Sequence, residues 1–117
     1  MRYTVTRDHV SEYPRPITFE VGTLLVVHER YDGDEDWEDW YFCETEGQEG
    51  GWVPVQVLDF LDGKTACAKE SYTARELDSR VGQVLQGSRV LNGWVWCERP
   101  DDGCSGWVPL SNLQPCP

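Results

Sequence analysis

The sequence lacks the marks of several protein classes. No apolar run approaches the roughly 20 residues of a membrane-spanning helix, and the first residues contain no apolar core of a secretory signal. We therefore expect a cytoplasmic protein without membrane contact, whose thiols stay reduced. The five cysteines are an odd number and none lies in a Cys-x-x-Cys pair, which argues against a disulfide framework and a zinc ribbon.

Catalytic and metal-binding patterns are also missing. The only histidines are His9 and His28, so a zinc site built on Cys97 and Cys104 would need a ligand from the other half of the chain. There is no Ser-His-Asp or Cys-His spacing, no glycine-rich phosphate loop and no evident pair of catalytic carboxylates. The sequence predicts a protein that is not an enzyme, with no catalytic residue, no metal and no cofactor.

Basic residues are few. The chain of 117 residues has 10 Lys and Arg against 21 Asp and Glu, a net charge of -11. Residues 1–61 hold 4 basic and 14 acidic residues, a balance of -10, whereas residues 62–117 hold 6 and 7, a balance of -1. Such a surface repels nucleic acid and anionic lipid and favours a basic partner. The alternative is that the charge only keeps the protein soluble.

What the chain does contain is an internal repeat. Gly51-Trp52-Val53-Pro54 recurs 55 positions later as Gly106-Trp107-Val108-Pro109, and each copy follows an aromatic strand, Trp40 to Cys43 and Trp94 to Cys97. Turn residues separate short β-branched and apolar runs about every ten residues, a pattern typical of small barrels or sandwiches. The sequence therefore predicts an all-β protein with two domains, residues 1–60 and 61–117.

The repeated pattern resembles the Src homology 3 (SH3) domain in tandem, over nearly the whole chain. That family has an apolar-x-apolar-x-x-Gly turn, a strand that opens with Trp, and a Gly-aromatic-apolar-Pro motif before a 3₁₀ turn. In the first copy these positions are Ile17, Phe19, Gly22, Trp40 and Gly51 to Pro54. In the second they are Leu77, Ser79, Gly82, Trp94 and Gly106 to Pro109, with Ser79 in place of an aromatic. The resemblance implies two closely packed five-stranded SH3-like barrels of a kind common in bacterial proteins.

The resemblance also implies an aromatic groove for polyproline II peptides. The strand-opening Trp and the motif Pro form one wall, which assigns Trp40 with Pro54 and Trp94 with Pro109 to that role. Three groove tyrosines of the family are missing from each copy. Their positions are read as Thr6, Asp8 and Val57 in the first copy and as Ala68, Glu70 and Asn112 in the second. We therefore expect the fold to be kept and standard proline-rich peptide binding to be weak.

Strand alternation suggests a second binding surface. It places Cys43 and Cys97 inside and leaves an outer aromatic face. The members of that face are Trp40, Phe42, Trp94 and Trp96. The neighbouring acidic loop contains Asp34, Glu35 and Asp36, which in the family would receive a ligand Arg or Lys. A calcium loop is an alternative, although the EF-hand spacing is incomplete, and a solvated charge run is another.

These features together predict a monomeric, non-catalytic module that binds a protein or peptide, with a basic segment favoured. Two alternatives remain. One is a cell-wall or small-ligand binding module. The other is an acidic inhibitor or immunity protein that caps a basic enzyme.

Overall fold

The computed structural model describes residues 1–32 and 39–117, and the described chain is all-β apart from two single-turn 3₁₀ segments, Val55–Val57 and Leu110–Asn112. This confirms the predicted fold class. The chain forms two compact units. The split unit consists of Met1–Pro14 together with Arg75–Pro117, and the continuous unit is Arg15–Ala74.

The split unit contains a five-stranded antiparallel sheet. Its strands are β1 (Arg2–Val5), β9 (Val84–Leu91), β10 (Trp94–Glu98), β11 (Ser105–Pro109) and β12 (Leu113–Pro115). Their order across the sheet is β11-β10-β9-β1-β12. The core of this unit contains an apolar cluster of buried side chains, which includes Tyr3, Leu85 and Val95.

The continuous unit repeats this design and adds a two-stranded ribbon. Its strands are β2 (Thr18–Phe19), β3 (Leu24–Arg30), β4 (Trp40–Glu44), β5 (Gly51–Pro54), β6 (Leu58–Phe60), β7 (Thr65–Ala68) and β8 (Tyr72–Thr73). The five-stranded sheet has the order β5-β4-β3-β7-β6, and β2 pairs with β8. The strand order thus matches that of the split unit position by position.

The division into units differs from the predicted domains 1–60 and 61–117. β1 comes from the first sequence copy, yet it lies between β9 and β12 of the second. Conversely, β7 belongs to the second copy and lies between β3 and β6 of the first. The chain therefore passes between the units after Pro14 and again after Ala74, and each unit is built from both copies.

Alternating burial along the central strands sets which side chains enter the core. Leu25 is fully buried and Val27 is 5% exposed, whereas the alternate residues Leu24 and Val26 point outward. In β10 the buried positions are Val95 and Cys97. Cys43 and Cys97 are both fully buried, so the prediction that these thiols act as small core residues is confirmed.

Candidate binding grooves

The predicted Trp–Pro pairs exist in both units. In the continuous unit Trp40 lies directly opposite Pro54 across β4 and β5. In the split unit Trp94 lies opposite Pro109 across β10 and β11. Both prolines begin a 3₁₀ turn as its cap residue. Because the motif proline ends its strand beside the residue that opens the preceding one, hairpin register alone brings the two side chains together.

The split unit adds a histidine and a carboxylate to its Trp–Pro pair. The His9 ring meets the Trp94 indole edge-on, with ring centroids 5.7 Å apart. His9 Nε2 lies 2.7 Å from Glu76 Oε1, and both side chains are largely buried, at 14% and 11% exposure. Trp94 itself is half-buried and so retains accessible aromatic surface. The partly exposed indole of Trp94 thus lies beside an imidazole that is bonded to a carboxylate.

In the continuous unit the corresponding wall is covered. Trp40 is only 6% exposed, whereas its counterpart Trp94 is half-buried, and the motif prolines Pro54 and Pro109 are buried in both units. The expectation that Trp40 belongs to an exposed aromatic face is therefore wrong. Alternation correctly separates Trp40 from inward-facing Cys43, but the indole does not reach solvent.

The groove residue that follows the first strand of each copy lies one position later than predicted in the first copy and two positions later in the second. The predicted positions were Thr6 and Asp8 in the first copy, yet His9 is the residue against Trp94. In the second copy Ala68 is 3% exposed within the core, and Tyr72 takes the place equivalent to His9. Tyr72 packs against Phe19 and donates a hydrogen bond to the Trp52 carbonyl at 3.3 Å. The pairing of Arg2–Val5 and Thr65–Ala68 with equivalent partners fixes this corrected alignment.

The remaining predicted aromatics pack on other aromatics. Phe42 is half-buried and meets the Trp52 ring with centroids 5.4 Å apart. Trp96 meets Trp107 at 5.3 Å, and the guanidinium carbon of Arg75 lies 5.7 Å from the Trp96 centroid. These contacts occupy part of the face that the sequence assigned to a partner.

The acidic positions Asp34, Glu35 and Asp36 lie outside the described residues. The first carboxylate after this stretch among the described residues, Asp39, has a positive φ of 65° and lies 3.1 Å from an Arg30 guanidinium nitrogen. Across residues 1–32 and 39–117 there is no group of three His, Cys, Asp or Glu side chains placed to hold a metal.

Two of the thiols differ electrostatically from ordinary cysteines. Burial raises the pKa of Cys43 to about 12 and that of Cys97 to about 11, because the thiolate loses its hydration. Both thiols are therefore protonated at neutral pH and poorly suited to nucleophilic chemistry. Within the described parts of the chain, no helix has the length and apolar character needed to cross a membrane.

Comparison with known proteins agrees with the fold. Residues 2–61 match the family described as "Variant SH3 domain". The "SH3 and PX domain-containing protein 2B" of Mus musculus is 29% identical over 97% of this chain, and that of Homo sapiens is 28% identical over the same share. The chain spans 13% of the length of these relatives. No solved structure matches significantly.

Proposed function

Because the chain belongs to the variant SH3 domain family, we propose that it is a non-catalytic protein-binding module, acting in the cytoplasm, that receives a peptide or a basic segment of a partner protein. We propose further that both units are SH3-like. The support for the split unit is its strand order, since β11-β10-β9-β1-β12 repeats the order β5-β4-β3-β7-β6 of the continuous unit.

The observation that carries this proposal is the arrangement around Trp94. Its indole is half-buried, Pro109 is its cross-strand neighbour, and His9 supports its edge. A partly exposed indole beside a polar group is the type of anchor point that dominates peptide affinity. Trp40 has the same cross-strand proline but only 6% exposure, so the first contact of a ligand falls on the split unit.

Charge sets the chemistry of the partner. Residues 15–74 carry 4 basic and 14 acidic residues, a balance of -10, and residues 1–14 with 75–117 carry 6 and 7, a balance of -1. The field of such a chain accelerates encounter with a cationic segment and opposes an anionic one. The carboxylates Asp34, Glu35 and Asp36 belong to this acidic stretch, and we propose that they favour Arg or Lys in the ligand.

Fluorescence anisotropy with a labelled peptide of alternating Arg and Pro tests the proposal. Trp94→Ala is expected to weaken binding by about tenfold or more, since that change removes an anchor aromatic. Trp96→Ala is the matched control. It removes the same side chain from the same strand at a position that packs on Trp107, and it should change the affinity by less than about threefold.

Changes of charge in the peptide and in the protein test the electrostatic part of the proposal. Replacing the arginines of the peptide with glutamates should abolish binding, and Asp34→Asn with Glu35→Gln and Asp36→Asn should weaken it and flatten its salt dependence. Equal losses of peptide affinity for Trp94→Ala and Trp96→Ala would contradict the assignment of the binding site to Trp94. Unchanged affinity of the triple variant would contradict the role of these three carboxylates.

A second candidate is an acidic inhibitor that caps a basic enzyme. The observation in its favour is the concentration of charge in one 60-residue unit. Such inhibitors bind one folded partner tightly over a large surface, and their association rate falls steeply with salt. Binding to a single folded basic protein, with no affinity for any peptide, would favour this candidate.

A further inference from the structure

The two sequence copies exchange equivalent strands, β1 and β7, so each sheet has two candidate strands for the same position. In the split unit Tyr3 pairs with Leu85 of β9. In the continuous unit Ala66 pairs with Leu25 of β3. β1 and β7 therefore occupy the same place in the two sheets, and either strand meets the backbone requirements of either site. The selection must come from side chains.

The clearest difference is the size of two facing core residues. In the split unit the Tyr3 ring fills the space over Gly87, because a Cβ added to Gly87 would lie 2.5 Å from Tyr3 Cε2 and 2.9 Å from Cδ2. Tyr3 is 6% exposed. A large residue on the exchanged strand is thus accommodated by a missing side chain on the central strand.

The continuous unit has the opposite sizes at the same two positions. Val27 takes the place of Gly87, since Val27 pairs with Cys43 as Gly87 pairs with Cys97. Ala66 takes the place of Tyr3 and is fully buried, and Val27 is 5% exposed. A strand returned to its own copy would place Tyr3 over Val27 and Ala66 over Gly87. The first pairing is overpacked and the second leaves a cavity.

Polar contacts of the segments that follow β1 and β7 also favour the exchanged pairing. His9 bonds to Glu76 at 2.7 Å in the split unit, and the Thr18 and Thr73 hydroxyls lie 2.8 Å apart in the continuous unit. Equivalent hydrogen bonds in the two units align these segments, so that Asp8 corresponds to Ser71. The Val81 N–H donates to Asp8 Oδ1, and the Val21 N–H donates to Ser71 Oγ.

In the own-copy arrangement each of these polar pairs loses a partner. By this alignment Pro16 would stand where Glu76 now accepts a hydrogen bond from His9, and Val10 would stand where Thr73 now meets Thr18. The loss is larger for the largely buried His9 and Glu76, because a buried polar group without its partner costs free energy, whereas the exposed Thr18 hydroxyl can bond to water. The polar pairs therefore reinforce the choice made by the core.

We propose that the size pairs Tyr3 with Gly87 and Ala66 with Val27 act as a recognition code that selects the exchanged strand pairing. The code also sets the composition of the groove. In the exchanged pairing His9 lies beside Trp94, whereas own-copy pairing would bring Tyr72 to that position. One choice of strand partner thus determines whether the groove residue next to Trp94 is an imidazole or a phenol.

A cut between the copies tests the pairing directly. The turn between β6 and β7 is exposed, and Gly63 has no atom within 4 Å of an added Cβ, so a protease recognition sequence fits there. After cleavage of the full chain, exchanged fragments share both sheets and must co-elute on native size-exclusion chromatography at the volume of the uncut 117-residue chain. Own-copy fragments are self-contained and separate from each other, so they elute later, at the volume of roughly half the chain. Co-elution of the wild-type fragments is expected, and their separation on dilution would overturn the proposal.

Size-swapped variants test the code. Tyr3→Ala with Ala66→Tyr, and separately Gly87→Val with Val27→Gly, each make own-copy pairing the complementary one, so their cut fragments should separate. The quadruple variant restores complementary sizes in the exchanged pairing, and its fragments should co-elute again. Co-elution of both double variants, or separation of the quadruple variant, would overturn the code.

If a double variant does not fold, its cut fragments cannot be compared, and thermal unfolding of the uncut variants tests the code instead. The code then requires the quadruple variant to recover a cooperative transition with a higher Tm than either double variant. A quadruple variant that is no more stable than the worse double variant shows that the four residues act independently, which also overturns the code.

Discussion

The imidazole of His9 lies edge-on to the indole of Trp94, with ring centroids 5.7 Å apart and an interplanar angle of 75°. The two residues belong to different sequence copies and meet because β1 and the segment after it join the sheet of the second copy. The candidate binding groove of the split unit is therefore a composite. Its properties cannot be read from either copy separately.

Gly106 is expected to tolerate no side chain. A Cβ there would lie 2.7 Å from both the Glu76 carbonyl carbon and the Leu77 nitrogen. That backbone is held by the bonds from Leu77 N to the Trp107 carbonyl and from Trp107 N to the Arg75 carbonyl, at 3.0 and 2.9 Å. Gly106→Ala should therefore lower the free energy of unfolding by about 2 kcal/mol in chemical denaturation.

Gly63→Ala is the matched control for this substitution. An added Cβ at Gly63 has nothing within 4 Å, so the free energy of unfolding should change by less than about 0.5 kcal/mol. Equal stability of the Gly106 and Gly63 variants would show that the segment around Glu76 does not lie against β11.

The cysteines are expected to react in an order set by burial. At pH 8 the thiolate fraction of Cys43, whose pKa is raised to about 12, is about one in ten thousand. That of Cys97, with a pKa of about 11, is about one in a thousand. Cys104 is exposed and should be alkylated first by iodoacetamide, as followed by peptide mass spectrometry.

Denaturant provides the control for the alkylation experiment. In 6 M guanidinium chloride (about three times a typical unfolding midpoint) all five cysteines should label at similar rates. Native modification of Cys43 or Cys97 as fast as that of Cys104 would contradict their placement in the two cores.

Asp102 should make the stability of the split unit sensitive to acid. The Arg99 guanidinium, which lies 3.0 Å from Asp102 Oδ2, and the Cys104 N–H lower the pKa of Asp102 from 3.8 to about 2. A depressed folded-state pKa contributes stability that is complete above pH 3.8 and is lost as the pH falls through about 2. The Tm difference between wild type and Asp102→Asn should thus shrink over this window.

Asp101→Asn is the control for Asp102. It removes a carboxylate from the same turn and leaves the bonds between Arg99 and Asp102 in place, so its Tm should stay closer to that of the wild type at neutral pH. A Tm difference for Asp102→Asn that is the same at pH 7 and pH 2 would contradict the assigned ion pair.

Local features of the fold could be predicted from the sequence. The Trp–Pro pairs follow from the position of the motif at the end of a hairpin, and the inward position of Cys43 and Cys97 follows from the period of two along a strand. Both depend on neighbours within a few residues or across one turn.

Strand exchange was not predictable in the same way. β1 and β7 have similar apolar patterns, and the packing of the Tyr3 ring over Gly87 joins residues that are 84 positions apart in the sequence. The burial of Trp40 was missed for a related reason. Alternation tells which face of a strand a side chain occupies but not what else covers that face.

The most direct test of the binding account follows the tryptophan indole N–H signals by ¹⁵N NMR while the Arg-Pro peptide is added to the labelled chain. Trp94→Phe assigns the signal of Trp94. The account predicts a saturable shift of the Trp94 indole, with smaller shifts for Trp96 and Trp52, which pack on other rings. Saturable binding that leaves the Trp94 signal in place, or no binding up to about 1 mM peptide, would contradict it.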